Sequence, residues 1–213
     1  MKQVRGHISG EWAAIAVRYI QAFMPEFTQA HLDQLMPYCE VRKLARKAIL
    51  LNEGEQEEHL HIVLSGLVRK YILSEKGEIT IELATEGHVA FSEQSFFTRR
   101  PATETLQCLE PVVLLSLSYR DMQTALSELP FGERLIRLIL TWIYIRKDER
   151  RYAKASKTVR ELFLDYLAHQ PQMLQRVSQK HLSSYLGIKP ETFSRLKHLA
   201  RRPGKKNGSS RRN

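Results

Sequence analysis

The apolar positions Trp12, Ile15, Ala16, Tyr19, Ile20 and Phe23 repeat at helical spacing, and Pro25 ends the pattern. A second short helix is predicted from Thr28 to Leu35. From about Cys39 to Ser118 the texture changes to short apolar runs separated by turn residues: AILL (48–51), HLHIVLS (59–65), LVRKYIL (67–73), EITIELA (78–84) and VVLLSLS (112–118). Gly54, Gly66, Gly77 and Gly87 fall between or beside these runs, about every eleven residues, where tight turns need positive φ. Short strands with glycine turns, uninterrupted by long helical stretches, predict a rolled antiparallel sheet, a small jelly roll, instead of β-α-β units.

Helical texture returns after Ser118. Tyr119–Leu129 reads as a short helix, with Ser118 as N-cap and Asp121 at the third helical position. Pro130 then opens a long helix in which Phe131, Leu135, Leu138, Trp142, Ile145 and, past the charged Glu149, Tyr152 keep a 4-3-4-3-4-3 spacing. That seam suits a partner helix, and a second stripe of Ile136, Ile139, Leu140 and Ile143 would cover the chain's own roll. A helix apolar on two sides needs two partners, which predicts a homodimer. The C-terminal module starts near Ser156. Val159, Leu162, Phe163, Tyr166 and Leu167 make one amphipathic helix, closed before Pro171. In VSQKHLSSYLGIKPETFSRLKHL (177–199), Ser178 can cap a helix through Leu186, Gly187 suits its C-terminal end, and Pro190 suits the first position of the next. Two short helices joined by a tight Gly-containing turn make a helix-turn-helix, with Leu182, Leu186, Ile188, Phe193 and Leu196 inside. The expected organisation is α+β: a roll domain over 1–129, a dimerisation helix over 130–155 and a DNA-binding domain with a basic tail over 156–213.

Charge sharpens this picture. The net charge is +10, yet residues 189–213 carry nine Lys or Arg against the single acid Glu191, leaving only +2 on the other 188 residues. A basic end on a near-neutral body predicts a polyanion held there. Hydrophobic and charged contents of 43% and 26% fit an ordinary globular chain, and neither a membrane-spanning run nor a leader-like apolar core is visible, which predicts a cytoplasmic protein without membrane contacts. The two cysteines, Cys39 and Cys108, are too few for a disulfide framework or an iron–sulfur cluster and read as core residues. No Ser-His-Asp order, P-loop or dinucleotide fingerprint is present, so no catalytic residue and no cofactor are expected.

Within the second C-terminal helix, Glu191 and Arg195 are four residues apart and share a face beside its N-terminal turn. The N-terminal part of a recognition helix enters the major groove, where Arg can bridge guanine O6 and N7 and Glu can accept from cytosine N4. Ser178, Gln179, Lys189, Thr192, Ser194 and His198 complete the expected DNA-binding set, several placed for phosphates. An intrahelical Glu–Arg pair on a solvated face is the plain alternative for Glu191 and Arg195 alone. The tight turn, the capping pattern and the basic end together favour duplex DNA carrying an inverted repeat.

GIKPETFSRLKHL resembles the helix-turn-helix of the Crp/Fnr superfamily of regulators, whose recognition helix reads G-x-[ST]-x-E-T-[VLIF]-[SG]-R. Gly187, Glu191, Thr192, Ser194 and Arg195 match, with Lys189 where Ser or Thr is usual. LNEGEQEEHLHIVLSGLVRKYIL resembles the family's roll opening, and the QRVSQKHLSSYLGI and PETFSR stretches are similar to its Bacteroidetes-type members. The resemblance implies a cyclic-nucleotide-binding-like roll, a dimer helix and a winged helix-turn-helix, with RNA polymerase and a small-molecule effector as further partners. Only a basic tail follows Ala200, where the family places its wing. Cyclic-AMP binders carry G-E-L and, about ten residues on, R-[ST]-A to hold the ribose and the phosphate. Here Phe91 and Ser92 stand at the Gly-Glu positions and Ala102 and Thr103 at the Arg-Ser positions, Glu93 lies one place off, and Arg99 and Arg100 lie on the preceding turn. Burying a phosphate without its Arg forfeits a charge-assisted bidentate contact, so cyclic AMP is not the expected effector. Two other readings stay open. His59-x-His61 on a jelly-roll strand, with His88 downstream, suggests a metal-dependent cupin enzyme, although no carboxylate follows at Leu64–Leu67. A DNA-free interaction module built on the long helix is the third, and it leaves Glu191 and Arg195 unexplained.

Overall fold

The computed structural model describes residues 3–5, 8, 10–75 and 77–200, and the chain divides into two compact units, residues 1–151 and 152–213. In the first unit, helices α1 (Gly10–Gln21) and α2 (Gln29–Leu35) precede the strands, and α1 stops short of Pro25. Among the described residues nine strands build two antiparallel sheets: β1 (Gln3–Arg5), β2 (Cys39–Leu44), β9 (Val112–Ser118), β4 (His59–Ser65) and β7 (Val89–Ala90) side by side in one, and β3 (Ile49–Leu51), β8 (Thr105–Cys108), β5 (Val68–Ser74) and β6 (Gly77–Ala84) in the other. The predicted antiparallel roll is present. All five apolar runs read from the sequence are strands, and Gly66 shows why its turn needs glycine: φ is +92°, and a Cβ there would sit 2.3 Å from the Pro111 carbonyl oxygen.

Alternation along β2 and β9 divides the core. Val41 and its partner Leu115 point to a cluster with Ala16, Ile20, Leu32 and Leu35, whereas Leu114 joins Val63, Val68, Leu106 and Val112 inside the roll. Both cysteines are buried and free, and burial pushes their thiols up to about 12 for Cys39 and about 11 for Cys108. A short helix, α3 (Glu93–Thr98), interrupts the strands, and α4 (Tyr119–Glu128) follows them, with the Ser118 hydroxyl accepting from the Asp121 N–H at 3.0 Å as expected.

The long helix α5 (Gly132–Ser156) begins two residues after Pro130. It corrects the assignment of its two stripes. Phe131, Leu135 and Ile139 are the residues buried against the chain's own core, with Leu138 and Trp142 packed at its edge, although most of these belonged to the seam expected to face a partner. Leu140, expected to face inward, is outside together with Tyr144 and Ile145. The reason is geometric: an i, i+4 ridge drifts around the helix as it rises, so an extended apolar surface can dock on any of several ridges, and the surface of the roll selects one.

In the second unit α6 (Val159–His169), α7 (Met173–Arg176), α8 (Gln179–Leu186) and α9 (Pro190–Ala200) enclose Phe163, Met173, Leu182, Leu186, Ile188 and Phe193. The Phe163 and Phe193 rings meet edge to face at 5.2 Å. Val159, on the apolar stripe read from the sequence, is exposed in the first turn of α6, one turn before buried Phe163 on the same side of the helix. The expected wing and the basic tail lie beyond residue 200, outside the described residues. No helix among the described residues is long and apolar enough to cross a membrane.

Candidate nucleic-acid interface and effector site

Helices α8 and α9 are set by local chemistry. The Ser178 hydroxyl accepts from the His181 N–H at 3.3 Å and starts α8. Gly187 ends it at φ +70°, its N–H donating to Ser184, while the Ile188 N–H donates to the Ser183 carbonyl at 2.9 Å. Three residues later Pro190 opens α9, and the Gln179 side-chain amide donates to the Pro190 carbonyl at 3.1 Å, tying the start of one helix to the start of the next. With Leu186, Ile188 and Phe193 pointing inward, the opposite face carries Ser178, Gln179, Lys189, Glu191, Arg195 and His198, all exposed, with Thr192 and Ser194 half-buried beside them. Among the described residues no ion pair joins Glu191 to Arg195; Arg195 makes a long contact with the Thr192 hydroxyl at 3.5 Å. Both charged groups therefore remain open to an incoming partner.

The positions read as an effector pocket are mostly absorbed into the scaffold. Phe91 is 1% exposed and packs edge to face on Phe96 at 5.5 Å. Ser92 caps α3, Ala102 lies in the core of the roll, and Thr103 is exposed, its N–H and hydroxyl both donating to Glu104. Arg99 adopts φ +59°, stacks on Tyr119 with its guanidinium carbon 4.3 Å from the ring centre, and donates to the Glu57 carbonyl and the Glu58 carboxylate. Arg100 is exposed, and its carbonyl accepts from Ser95. Glu93 joins two cations, pairing with Lys70 at 2.8 Å and Lys147 at 2.9 Å. Lys70, 4% exposed, also pairs with Glu82 at 2.9 Å, and these carboxylates hold its ammonium above the usual lysine range despite burial. Reading the sequence missed Lys70, Glu82, Lys147 and Glu57, because charged residues on a strand or an exposed helix read as solvent-facing.

Glu57 is a second buried charge. Its carboxylate oxygens accept from the His59 and Ser92 N–H groups, each at 3.1 Å. Burial pushes its carboxyl up to about 7, against the pull of those two bonds and of Lys70 and Arg42. Because the folded value exceeds the unfolded one, the stability this group confers is complete below the ordinary glutamate range near 4.3 and is lost as pH rises through about 7. Urea unfolding of wild type and Glu57→Gln between pH 5 and 8 should show wild type losing up to about 3 kcal/mol more than the variant over that interval. Parallel pH curves would overturn the assignment.

The histidines of the cupin reading are held otherwise. His59 and His61 stack with ring centres 5.7 Å apart, His61 Nδ1 hydrogen-bonds the Ser116 hydroxyl at 2.7 Å, and His59 faces Glu40. Burial lowers the pKa of both imidazoles, and among the described residues no three His, Cys, Asp or Glu side chains converge as a metal site.

Residues 41–128 match the family described as the cyclic nucleotide-binding domain. No curated protein matches the chain by sequence. Among solved structures it is similar to the c-di-GMP responsive global regulator CLP of Xanthomonas campestris, at 16% identity and a TM-score of 0.64, over 81% of this chain and 92% of that one. FixK2 of Bradyrhizobium japonicum follows at 16% identity and 0.61, over 76% and 83%. The catabolite activator protein of Thermus thermophilus matches at 20% identity and 0.53, over 85% of each chain. A cyclic nucleotide-binding-type roll, a long helix and a helix-turn-helix in this order give the chain the fold of a Crp/Fnr-type regulator.

Proposed function

We propose that the protein is a homodimeric, sequence-specific DNA-binding transcription regulator and not an enzyme. The observation that carries this reading is the α8–Gly187–α9 unit, with Glu191 and Arg195 exposed and unpaired with each other on the outer face of α9. A helix presented this way fits the major groove, its first two turns reaching base edges while Lys189, Ser178 and neighbouring N–H groups meet phosphates. Two such helices related by a dimer axis would read an inverted repeat about one helical turn apart. Selection of bound sequences from a random duplex pool tests this: recovery of a two-fold symmetric site is expected, and recovery of no sequence above background would refute specific recognition.

The effector of this regulator is not cyclic AMP. The guanidinium of Arg99 is committed to Glu57, Glu58 and Tyr119, and the two ammonium groups near Glu93 already share a carboxylate. A ligand that binds only the folded state at a hundredfold its Kd adds about 2.7 kcal/mol of stability. Millimolar cyclic AMP should leave the melting temperature unmoved, and a clear upward shift would show that the roll binds it. RNA polymerase is the further partner this reading carries, tested by transcription from a promoter bearing the selected site.

A further inference from the structure

The first and second halves of α5 are held to the roll by different means. Phe131, just ahead of the helix, and Leu135 and Ile139 within it are buried in the apolar core, and Trp142 still meets Phe23, with ring centres 6.1 Å apart. From Tyr144 to Arg151 no residue is buried. From this stretch Lys147 reaches the first residue of α3, Glu93, at 2.9 Å.

Glu93 is not a loose surface acid. Its other oxygen lies 2.8 Å from the Lys70 ammonium, whose side chain is only 5% exposed and whose second carboxylate, Glu82, comes from the paired position on β6. Two ammonium groups and two carboxylates balance one another, which is the condition for keeping such charges in a low-dielectric place. Beneath them α3 is pinned. The Ser92 N–H donates to the Glu57 carboxylate, the Glu57 N–H donates to the Ser95 hydroxyl at 2.9 Å, and Arg99 donates to the Glu57 carbonyl at 2.8 Å. Glu93 thus has its position dictated by the roll and cannot follow Lys147 outward without breaking buried bonds.

We propose that Glu93 is a resident anion that clamps the second half of α5 to the roll, joining Lys70 on one side to Lys147 on the other. The order of residues 144–151 then depends on a charge pair, whereas that of residues 132–139 depends on apolar burial. This inference does not rest on DNA binding and is read without DNA.

Hydrogen exchange of the full-length protein tests it, comparing wild type with Lys147→Met, Glu93→Gln and the double variant. Lys147 is largely exposed, so Lys147→Met leaves the roll intact and is the decisive variant even if Glu93→Gln, by depriving buried Lys70 of a partner, loosens the roll as well. Lys147→Met should speed exchange in residues 144–151 about 1.5- to fivefold, the range for an exposed ion pair, and leave 132–139 and the β4 and β9 strands unchanged. Adding it to Glu93→Gln should produce no further acceleration in residues 144–151. Unchanged exchange in Lys147→Met, or an additive effect in the double variant, overturns the clamp.

Discussion

Arg195→Ala should abolish most of the discrimination between a matched operator and a scrambled one. On the outer face of α9 the Arg195 guanidinium has, among the described residues, only the distant Thr192 hydroxyl as a hydrogen-bond partner, which leaves its planar fork for guanine O6 and N7. A bidentate contact of this kind is worth about 1–3 kcal/mol per half-site, and a dimer makes it twice, so matched-site affinity should fall by one to several orders of magnitude. Affinity for scrambled DNA should change little, because nonspecific binding comes from phosphate neutralisation. Removing the basic residues from Arg201 onward should do the reverse, weakening every sequence alike and lowering the salt dependence. Isotherms on both DNAs at two salt concentrations separate the roles. Equal weakening of matched and scrambled DNA by Arg195→Ala would make Arg195 one more phosphate contact.

The second large effect is expected at the outer face of α5. Leu140, Tyr144 and Ile145 are 37%, 69% and 43% exposed and form the face open to a partner, whereas Leu138 and Trp142 pack at the edge of the chain's own core. Two-fold symmetry buries each such residue twice, and a fully buried Leu or similar side chain contributes about 1.5–3 kcal/mol, so the interface stands or falls on few positions. Leu140→Glu combined with Tyr144→Glu should convert a species of twice the chain mass into one of the chain mass in sedimentation, with the far-ultraviolet spectrum unchanged because both sites are exposed. DNA affinity should drop with it, since one subunit then holds one half-site. Wild type that sediments as a monomer at high micromolar concentration would refute the dimer.

Strand positions, helix caps and the helix-turn-helix were legible because each is specified within a few residues. Alternation over HLHIVLS and VVLLSLS, the Ser118 and Ser178 caps, and the Gly187–Pro190 spacing all act at the scale of one turn or one strand. Less legible were β2, whose CEVRKL run mixes charges into its alternation, and β8, whose TLQC run is only four residues long. The helix α3 was missed because Ser92 and a six-residue stretch make a weak local signal; its anchors Glu57 and Lys70 are 35 and 23 residues away from the atoms they bond.

What the sequence by itself determined, then, is the order of roll, long helix and helix-turn-helix, the basic C-terminal end and the identity of the residues on the outer face of α9, since helical periodicity alone separates Arg195 from Phe193. Tertiary structure decided the rest. Which ridge of α5 is buried depends on the shape of the roll it meets, and whether Lys70 is a surface cation or a buried one depends on carboxylates brought from Glu82 and Glu93. A buried charge is tolerable only where the fold delivers its counter-charge, and that pairing is a property of three-dimensional placement that no local pattern encodes.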